Sequence, residues 1–258
     1  MSYTLSMSLL AVSMFIVMLL LLELGRRIGH RRLVTDPEGA RAGVGPVDGA
    51  VFALLGLLIA FTFSGAASRF DTRRQLIVEE ANAIGTAYLR LDILPPSAQT
   101  ALREKFRQYV ETRLEVYRKL PDLSAARAEL VKGAKLQEEI WSQAVAASQA
   151  EGAQPARVLV LPALNAMIDI TTTRTMAGKM HPPMIIFIML IGLSLVSSLL
   201  AGYGMAGGKA RSWVHIVGFA ATMALAVYVI LDLEFPRLGL IRVDAFDQVL
   251  VDVRASMR

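Results

Sequence analysis

The feature that most constrains this chain is a set of four apolar segments, each about 20 residues long. They cover residues 3–22, 47–67, 184–203 and 213–231, and their cores contain no Asp, Glu, Lys or Arg. A helix that crosses the ~30 Å hydrocarbon layer of a bilayer needs about 20 such residues. The pattern therefore predicts a multi-pass protein with four transmembrane helices.

Composition agrees with a membrane protein and excludes several kinds of site. Hydrophobic residues make up 54% of the chain and charged residues 19%, against about 25% charged in a soluble protein. There is no cysteine, which excludes disulfides, thiolate metal sites and cysteine nucleophiles. The net charge is +5. Because the basic residues flank the apolar segments, we expect them to contact lipid headgroups, and we expect no nucleic-acid partner.

The long region between the second and third apolar segments predicts a helical extramembrane domain. No proline follows the second segment until Pro95, so one helix over residues 47–92 would be roughly 69 Å long and extend beyond the bilayer. We expect a next helix over residues 97–120 with Ser97 as its N-cap, and another over residues 123–150. The buried stripe expected on the latter is Leu123, Ala126, Leu130, Ala134 and Ile140.

The predicted fold class is all-α. The expected divisions are residues 1–67 for the first two transmembrane helices, 68–183 for the helical domain, 184–231 for the last two transmembrane helices, and 232–258 for an amphipathic tail. An even helix count places both termini and the helical domain on the same side of the membrane. Basic residues near the helix ends are equally numerous on the two sides, so the orientation stays open.

No pattern typical of catalysis is present. His30, His181 and His215 lack metal-ligand spacing, and the glycines before Lys209 lack the remaining residues of a phosphate-binding loop. We therefore expect neither an enzyme nor a cofactor or metal. Carriers that move protons place ionisable residues inside the bilayer, and these helices have none there. A pore closed by an apolar constriction needs no buried charge, but it needs several copies of the chain.

The second apolar segment is the best candidate for lining such a pore. Ala53, Leu57 and Phe61 recur every four residues and share one helix face, with Ser64 nearby. The alternative is helix packing, because small residues such as Gly49, Ala53 and Gly56 permit close approach.

Charged and polar residues follow this segment and form a candidate vestibule at the pore mouth. The set is Arg69, Asp71, Arg73, Arg74, Glu79, Glu80 and Asn82. Charges lining a vestibule raise the local concentration of permeant ions. A solvated helix face with charge pairs one turn apart is the alternative. Asp232 and Glu234 follow the fourth segment, but two carboxylates are fewer than a Ca²⁺ site uses.

Two stretches resemble a bacterial membrane family called bestrophin-like. They are FTFSGAASRFDTRRQLIVEEANAIGTAYLRLDILPP, which begins at Phe61, and LDLEFPRLGLIRV, which begins at Leu231. The order of helices is similar over nearly the whole chain. This resemblance implies a multi-pass protein of the bacterial inner membrane.

The chain is also remotely similar to the bestrophins proper, which are pentameric anion channels with four membrane helices and a cytosolic helical region. Ser68-Arg69-Phe70 resembles the step that follows their apolar neck, which puts Leu57 and Phe61 at neck positions, with the smaller Ala53 above. Where bestrophins carry a calcium-binding acidic run, this chain has only Asp232 and Glu234.

The resemblance implies an oligomeric ion channel, a homopentamer that conducts anions and contacts membrane lipids. Because the candidate vestibule carries both signs of charge, a cation-selective channel of the same architecture stays open. A non-conducting membrane scaffold or sensor, whose helical domain binds a partner, is the alternative from another class.

Overall fold

The computed structural model describes residues 3–38, 44–208 and 210–257. These residues are 87% helix and contain no strand, so the predicted all-α class is confirmed. The eight α-helices among them are α1 (Tyr3–Thr35), α2 (Val44–Arg90), α3 (Pro96–Arg118), α4 (Leu123–Ala147), α5 (Gln154–Lys179), α6 (Met184–Gly204), α7 (Trp213–Glu234) and α8 (Gln248–Ser256). Short 3-10 turns lie at Leu91–Ile93, Met205–Gly207 and Asp244–Asp247. Arg41 and Lys209, in the two short connections, lie outside the described residues.

Four helical stretches are long and apolar enough to cross a membrane, as predicted. The long second helix is also confirmed, because α2 runs without a break for 47 residues, about 70 Å at 1.5 Å per residue. α1 continues through the basic residues after its apolar segment and ends at Thr35.

Contacts divide the chain into two compact units. The membrane unit contains residues 1–68 and 181–240, and the helical unit contains residues 69–180 and 241–258. α2 contributes its first part to one unit and its second part to the other. The sequence-based domain limits stay predictions, because this division follows packing within the chain and not the position of a bilayer.

In the membrane unit, α1 packs mainly against α6 and also against α7. The buried stripe of α1 is Met14, Met18, Leu22, Gly25 and Gly29. On α6 the buried residues are Leu190 and the small residues Ser194, Ser197, Ser198 and Gly202. Small residues let membrane helices approach closely, where van der Waals packing holds them together.

The helical unit has an aliphatic and aromatic core between α3, α4 and α5, joined by the second part of α2 and by α8. Leu102, Phe106 and Ile140 are fully buried in it. The Phe106 ring meets Tyr88 of α2 edge to face, with centroids 5.9 Å apart. This core fixes which face of α2 is buried in the helical unit.

Two local predictions in this unit are wrong. α3 begins at Pro96 with Pro95 as its N-cap residue, so Ser97 is not the cap; a proline fits the first helical turn because its missing N–H has no partner there. On α4, Leu123 is 60% exposed, and Ala134 is also exposed. Ala126 and Ile140 are buried as predicted, and the rest of the buried stripe is Gly133, Leu136, Gln137 and Ala144.

Close contact between α1 and α6 makes one glycine sensitive to a single methyl group. A Cβ on Gly202 would overlap the carbonyl oxygen of Leu22, whereas a Cβ on Gly192 of the same helix would meet nothing within 4 Å. We expect Gly202→Ala to destabilise the protein by about 1–3 kcal/mol through overpacking. Gly192→Ala is the matched control, and its better helix propensity should leave stability equal or higher. Thermal unfolding of the detergent-solubilised protein checks both, and equal melting temperatures for the two variants would contradict the packing described.

Candidate functional site

The candidate pore residues lie on the exposed face of α2 in the membrane unit. Ala53, Leu57, Phe61 and Ser64 are all exposed, with exposed fractions of 52% for Leu57 and 68% for Phe61. The buried residues of this part of α2 are Leu55, Thr62 and Ala66, which point away from that face at 100° per residue. Among the described residues the four candidates are therefore exposed and available to lipid, water or another copy.

The proposed packing role of the small residues is not seen within the chain. A Cβ on Gly49 or on Gly56 would meet no atom within 4 Å among the described residues. These two positions therefore leave room for another helix to approach closely.

In the helical unit, the exposed face of α2 is mostly polar, with Val78 and Leu89 as exposed apolar residues. Asp71, Glu79 and Asn82 are exposed, and so are Thr72 and Gln75. Steps of three and four residues connect these positions to one another, so they share one face of the second part of α2.

Arg73 lies on the opposite, buried face of α2. Its Nε donates to the carbonyl oxygen of Ala177 at 3.1 Å and its Nη2 to that of Met180 at 3.0 Å. Ala177 belongs to the last turn of α5 and Met180 is its C-cap residue, a position where a cation complements the helix dipole. Arg73 therefore caps α5, and its charge is not presented on the exposed face.

Glu80 is completely buried between two arginines from other helices. Its Oε1 accepts from Nε of Arg113 at 2.5 Å, and its Oε2 accepts from Nη1 of Arg174. Arg174 also donates from Nη2 to Asp247 at 3.1 Å, and its guanidinium lies 4.1 Å from the centre of the Tyr117 ring. The cluster holds two cations and two carboxylates, so its formal charges cancel. It joins α2, α3, α5 and the 3-10 turn before α8.

Electrostatics in this cluster favour the charged forms. Burial raises the pKa of Glu80, but the positive charges and hydrogen bonds of Arg113 and Arg174 outweigh that effect and hold its pKa below the usual range. Burial raises the pKa of the neighbouring Tyr109 hydroxyl to about 12. That hydroxyl lies 2.8 Å from Thr171 Oγ1 and accepts from Gln137 Nε2 at 2.9 Å. Buried polar atoms here are satisfied by one another, which is the condition for a stable polar core.

The last two candidate vestibule residues lie at the edge between the two faces. Arg74 Nη1 donates to Asp71 Oδ1 at 3.0 Å, and its guanidinium lies 4.3 Å from the centre of the Phe246 ring. Arg69 is half-buried. Of the candidate vestibule residues, Asp71, Glu79 and Asn82 are therefore exposed in the helical unit, and Arg73 and Glu80 are buried in its interior.

Asp232 and Glu234 are also fully buried, and they stabilise the turn after α7. Asp232 Oδ1 accepts the backbone N–H of Leu240 at 3.0 Å, and Glu234 Oε2 lies 3.3 Å from His181 Nδ1. His181 stacks on Phe235 with ring centroids 4.5 Å apart. Within the described ranges, no three His, Cys, Asp or Glu residues come close enough to hold a metal ion.

Sequence reasoning missed the Glu80 cluster, although one signal for it was present. Arg113 lies on the same helical stripe as Leu102, Phe106 and Tyr109. A cation at a core position of an amphipathic helix requires a buried anion as its partner. Nothing in the spacing identified that partner as Glu80 rather than its neighbour Glu79.

The fold and the exposed face of α2 define a class: an all-α membrane protein whose described residues form four helices able to span a bilayer, with a long second helix that keeps one face exposed. A model of the Bestrophin-like domain matches residues 10–245. The chain belongs to the bestrophin-like family.

Solved structures agree on the fold. A tryptophan-to-alanine variant of a bacterial bestrophin homologue from Klebsiella pneumoniae is 16% identical, with a TM-score of 0.70 over 95% of this chain and 98% of that chain. An isoleucine-to-threonine variant of that homologue is 15% identical, with a TM-score of 0.69 over 94% and 99%. No protein of curated function matches the sequence significantly. At these identities the similarity shows the shared fold.

Glu80 provides a test of the buried cluster, with Glu79 as a matched control one residue away. We expect Glu80→Gln to destabilise the protein by about 3–5 kcal/mol, because it leaves two buried guanidiniums without their shared carboxylate. Glu79→Gln removes the same charge from an exposed position and should leave the melting temperature unchanged. Thermal unfolding of the purified proteins near neutral pH measures both.

The pH dependence of the melting temperatures of the same variants provides a second test of the buried cluster. The pKa of Glu80 is lower in the folded protein than in the unfolded chain, where it is about 4.3. Ionised Glu80 therefore contributes fully to the free energy of unfolding above about pH 4.3, and this contribution is lost as pH falls through the folded-state pKa. The gap in melting temperature between the natural protein and Glu80→Gln should therefore narrow as pH falls below about 4.3. A gap that stays constant there would contradict an ionised Glu80.

Proposed function

We propose that this chain forms an oligomeric ion channel, a homopentamer in the bacterial inner membrane, in which α2 of each copy lines a central pore. Family membership and a bestrophin fold over nearly the whole chain support it. The bestrophins that the sequence resembles are pentameric channels. The described part of one copy has four helices able to span a membrane, and four helices enclose too little space for a pore.

The observation that carries the proposal is the exposed face of α2. Ala53, Leu57, Phe61 and Ser64 are exposed on it, and Gly49 and Gly56 leave room for a neighbouring helix. A ring of copies that turns this face inward would place Leu57 and Phe61 at a narrow apolar constriction. Such a constriction closes by expelling water and opens with a small increase in radius.

Charge on the exposed face of α2 in the helical unit bears on ion selectivity. Arg73 is buried, Arg69 is half-buried and Arg74 pairs with Asp71, so Glu79 is the exposed carboxylate on which the argument rests. Rings of carboxylates at a pore mouth concentrate cations. The distant resemblance favours anions, and this geometry favours the cation-selective alternative.

Removing the largest side chain of the proposed constriction tests the pore directly. We expect Phe61→Ala to raise ion flux severalfold, because it widens the constriction and lowers the cost of wetting it. Leu225→Ala is the matched control: Leu225 of α7 is 62% exposed and apolar, and we place it against lipid. The measurement is conductance of the purified protein in planar bilayers, beside the particle symmetry from imaging.

Three results would contradict the pore. They are the absence of conductance in both the natural protein and Phe61→Ala, an equal increase in flux in Leu225→Ala, and a particle without a central axis. A ring-shaped particle that never conducts would favour a membrane scaffold or sensor.

Selectivity is decided by the reversal potential under a salt gradient. We expect Glu79→Gln to reduce the preference for cations over anions, because it removes one carboxylate per copy from the pore mouth. Asn82→Gln is an uncharged control on the same exposed face. A natural channel that prefers anions, with no change in Glu79→Gln, would exclude the cation alternative and leave the anion channel.

A further inference from the structure

A cavity of about 590 Å³ opens in the membrane unit, away from the proposed pore face. It lies among the ends of α1, α2, α6 and α7, and its polar lining includes Arg26, Asp48, Tyr203, Arg211 and Ser212. Its volume falls within the 300–1,000 Å³ range of small-molecule sites. Neither the proposed channel nor the family resemblance gives this cavity a role.

Two arginines line the cavity, and both lie beside Glu23. Arg211 Nη2 donates to Glu23 Oε1 at 3.0 Å, which uses one of the five N–H donors of a guanidinium. Arg26 Nε is buried and makes no hydrogen bond among the described residues, although it lies 3.5 Å from Glu23 Oε2. A planar guanidinium matches the oxygens of a phosphate group.

The start of α7 adds to this positive potential. Ser212 is the N-cap residue of α7, and its side chain makes no capping hydrogen bond; its hydroxyl lies 2.6 Å from His215 Nδ1 instead. Uncapped N–H groups at a helix N-terminus and the helix dipole both favour an anion.

One wall of the cavity is acidic, which argues against a simple anion. Asp48 lines it, and Asp48 Oδ2 lies 3.9 Å from the position that a Cβ would take on Gly204. A carboxylate there repels a bare phosphate but attracts an ammonium group. The lining of two guanidiniums and one carboxylate is therefore complementary to a ligand that carries both a phosphate and an amine.

The aromatic residues place the cavity at the depth of lipid headgroups. Tyr203 ends the third apolar segment and lines the cavity, and Trp213 begins the fourth. Tyrosine and tryptophan concentrate at the boundary between hydrocarbon and water. Leu33 and Ile216 add apolar wall beside the charged groups.

We propose that this cavity binds a phosphate group with an adjacent amine, as in the headgroup of an aminophospholipid. The phosphate contacts Arg26, Arg211 and the start of α7, and the ammonium contacts Asp48. The site is independent of ion conduction and would hold if the chain conducted no ions.

Native mass spectrometry of the full-length protein tests the site with three probes. They are phosphatidylethanolamine, phosphatidylglycerol and soluble phosphoethanolamine. We expect phosphatidylethanolamine to be retained in preference to phosphatidylglycerol, and Arg211→Gln to weaken its retention by about fivefold. Arg27→Gln is the matched control: Arg27 also pairs with Glu23, at 2.8 Å, but does not line the cavity.

Asp48→Asn separates the two halves of the proposed ligand. We expect it to keep phosphate binding and to lose the preference for the amine-bearing lipid. Soluble phosphoethanolamine should displace the lipid from the natural protein and should do so less well in Arg211→Gln. This result would show that the same cavity also binds a soluble ligand. Equal losses in Arg211→Gln and Arg27→Gln would overturn the site, and equal retention of both lipids by the natural protein would overturn the amine contact.

Discussion

The helical unit depends on one buried carboxylate. Glu80 accepts hydrogen bonds from Arg113 and Arg174, and Arg174 continues to Asp247, so α2, α3, α5 and the turn before α8 meet at one neutral cluster. A buried charge without partners is costly, so these elements are held in the arrangement that pairs every charge. The pairing also determines the rotation of α2 about its own axis. With Glu80 inside, Glu79 and Asn82 are outside.

The membrane unit is held together by a different kind of interaction. In lipid there is no hydrophobic force between helices, so close contact between small residues provides the attraction. α1 and α6 approach at Gly25 and Gly202 until backbone touches backbone. A buried serine hydroxyl is not costly when it forms a hydrogen bond within its own helix. Ser194 Oγ of α6 does so by donating to the carbonyl oxygen of Leu190 at 2.7 Å.

The fold could be predicted largely from the sequence, because it depends on patterns that are local along the chain. Twenty apolar residues without charge predict a spanning helix, and the absence of proline before Pro95 predicts the length of α2. Positions that depend on distant partners could not be predicted. Arg73 and Glu80 occur in a run of alternating charge that is equally typical of a solvated face, and only α3 and α5 decide that both are buried. The exposure of Leu123 could not be predicted for a related reason: a hydrophobic residue is buried only where another element packs against it, and the sequence does not specify that element.

The exposed face of α2 has a consequence for how its residues can vary. Leu57, Phe61, Asp71, Glu79 and Asn82 are exposed and take no part in the core of either unit. Substitutions at these exposed positions should change the stability of the fold little, whereas substitutions of Arg73 or Glu80 on the other face would remove the hydrogen bonds that join them to their partners. The charge and size of the exposed residues can therefore change independently of the packing that maintains the architecture.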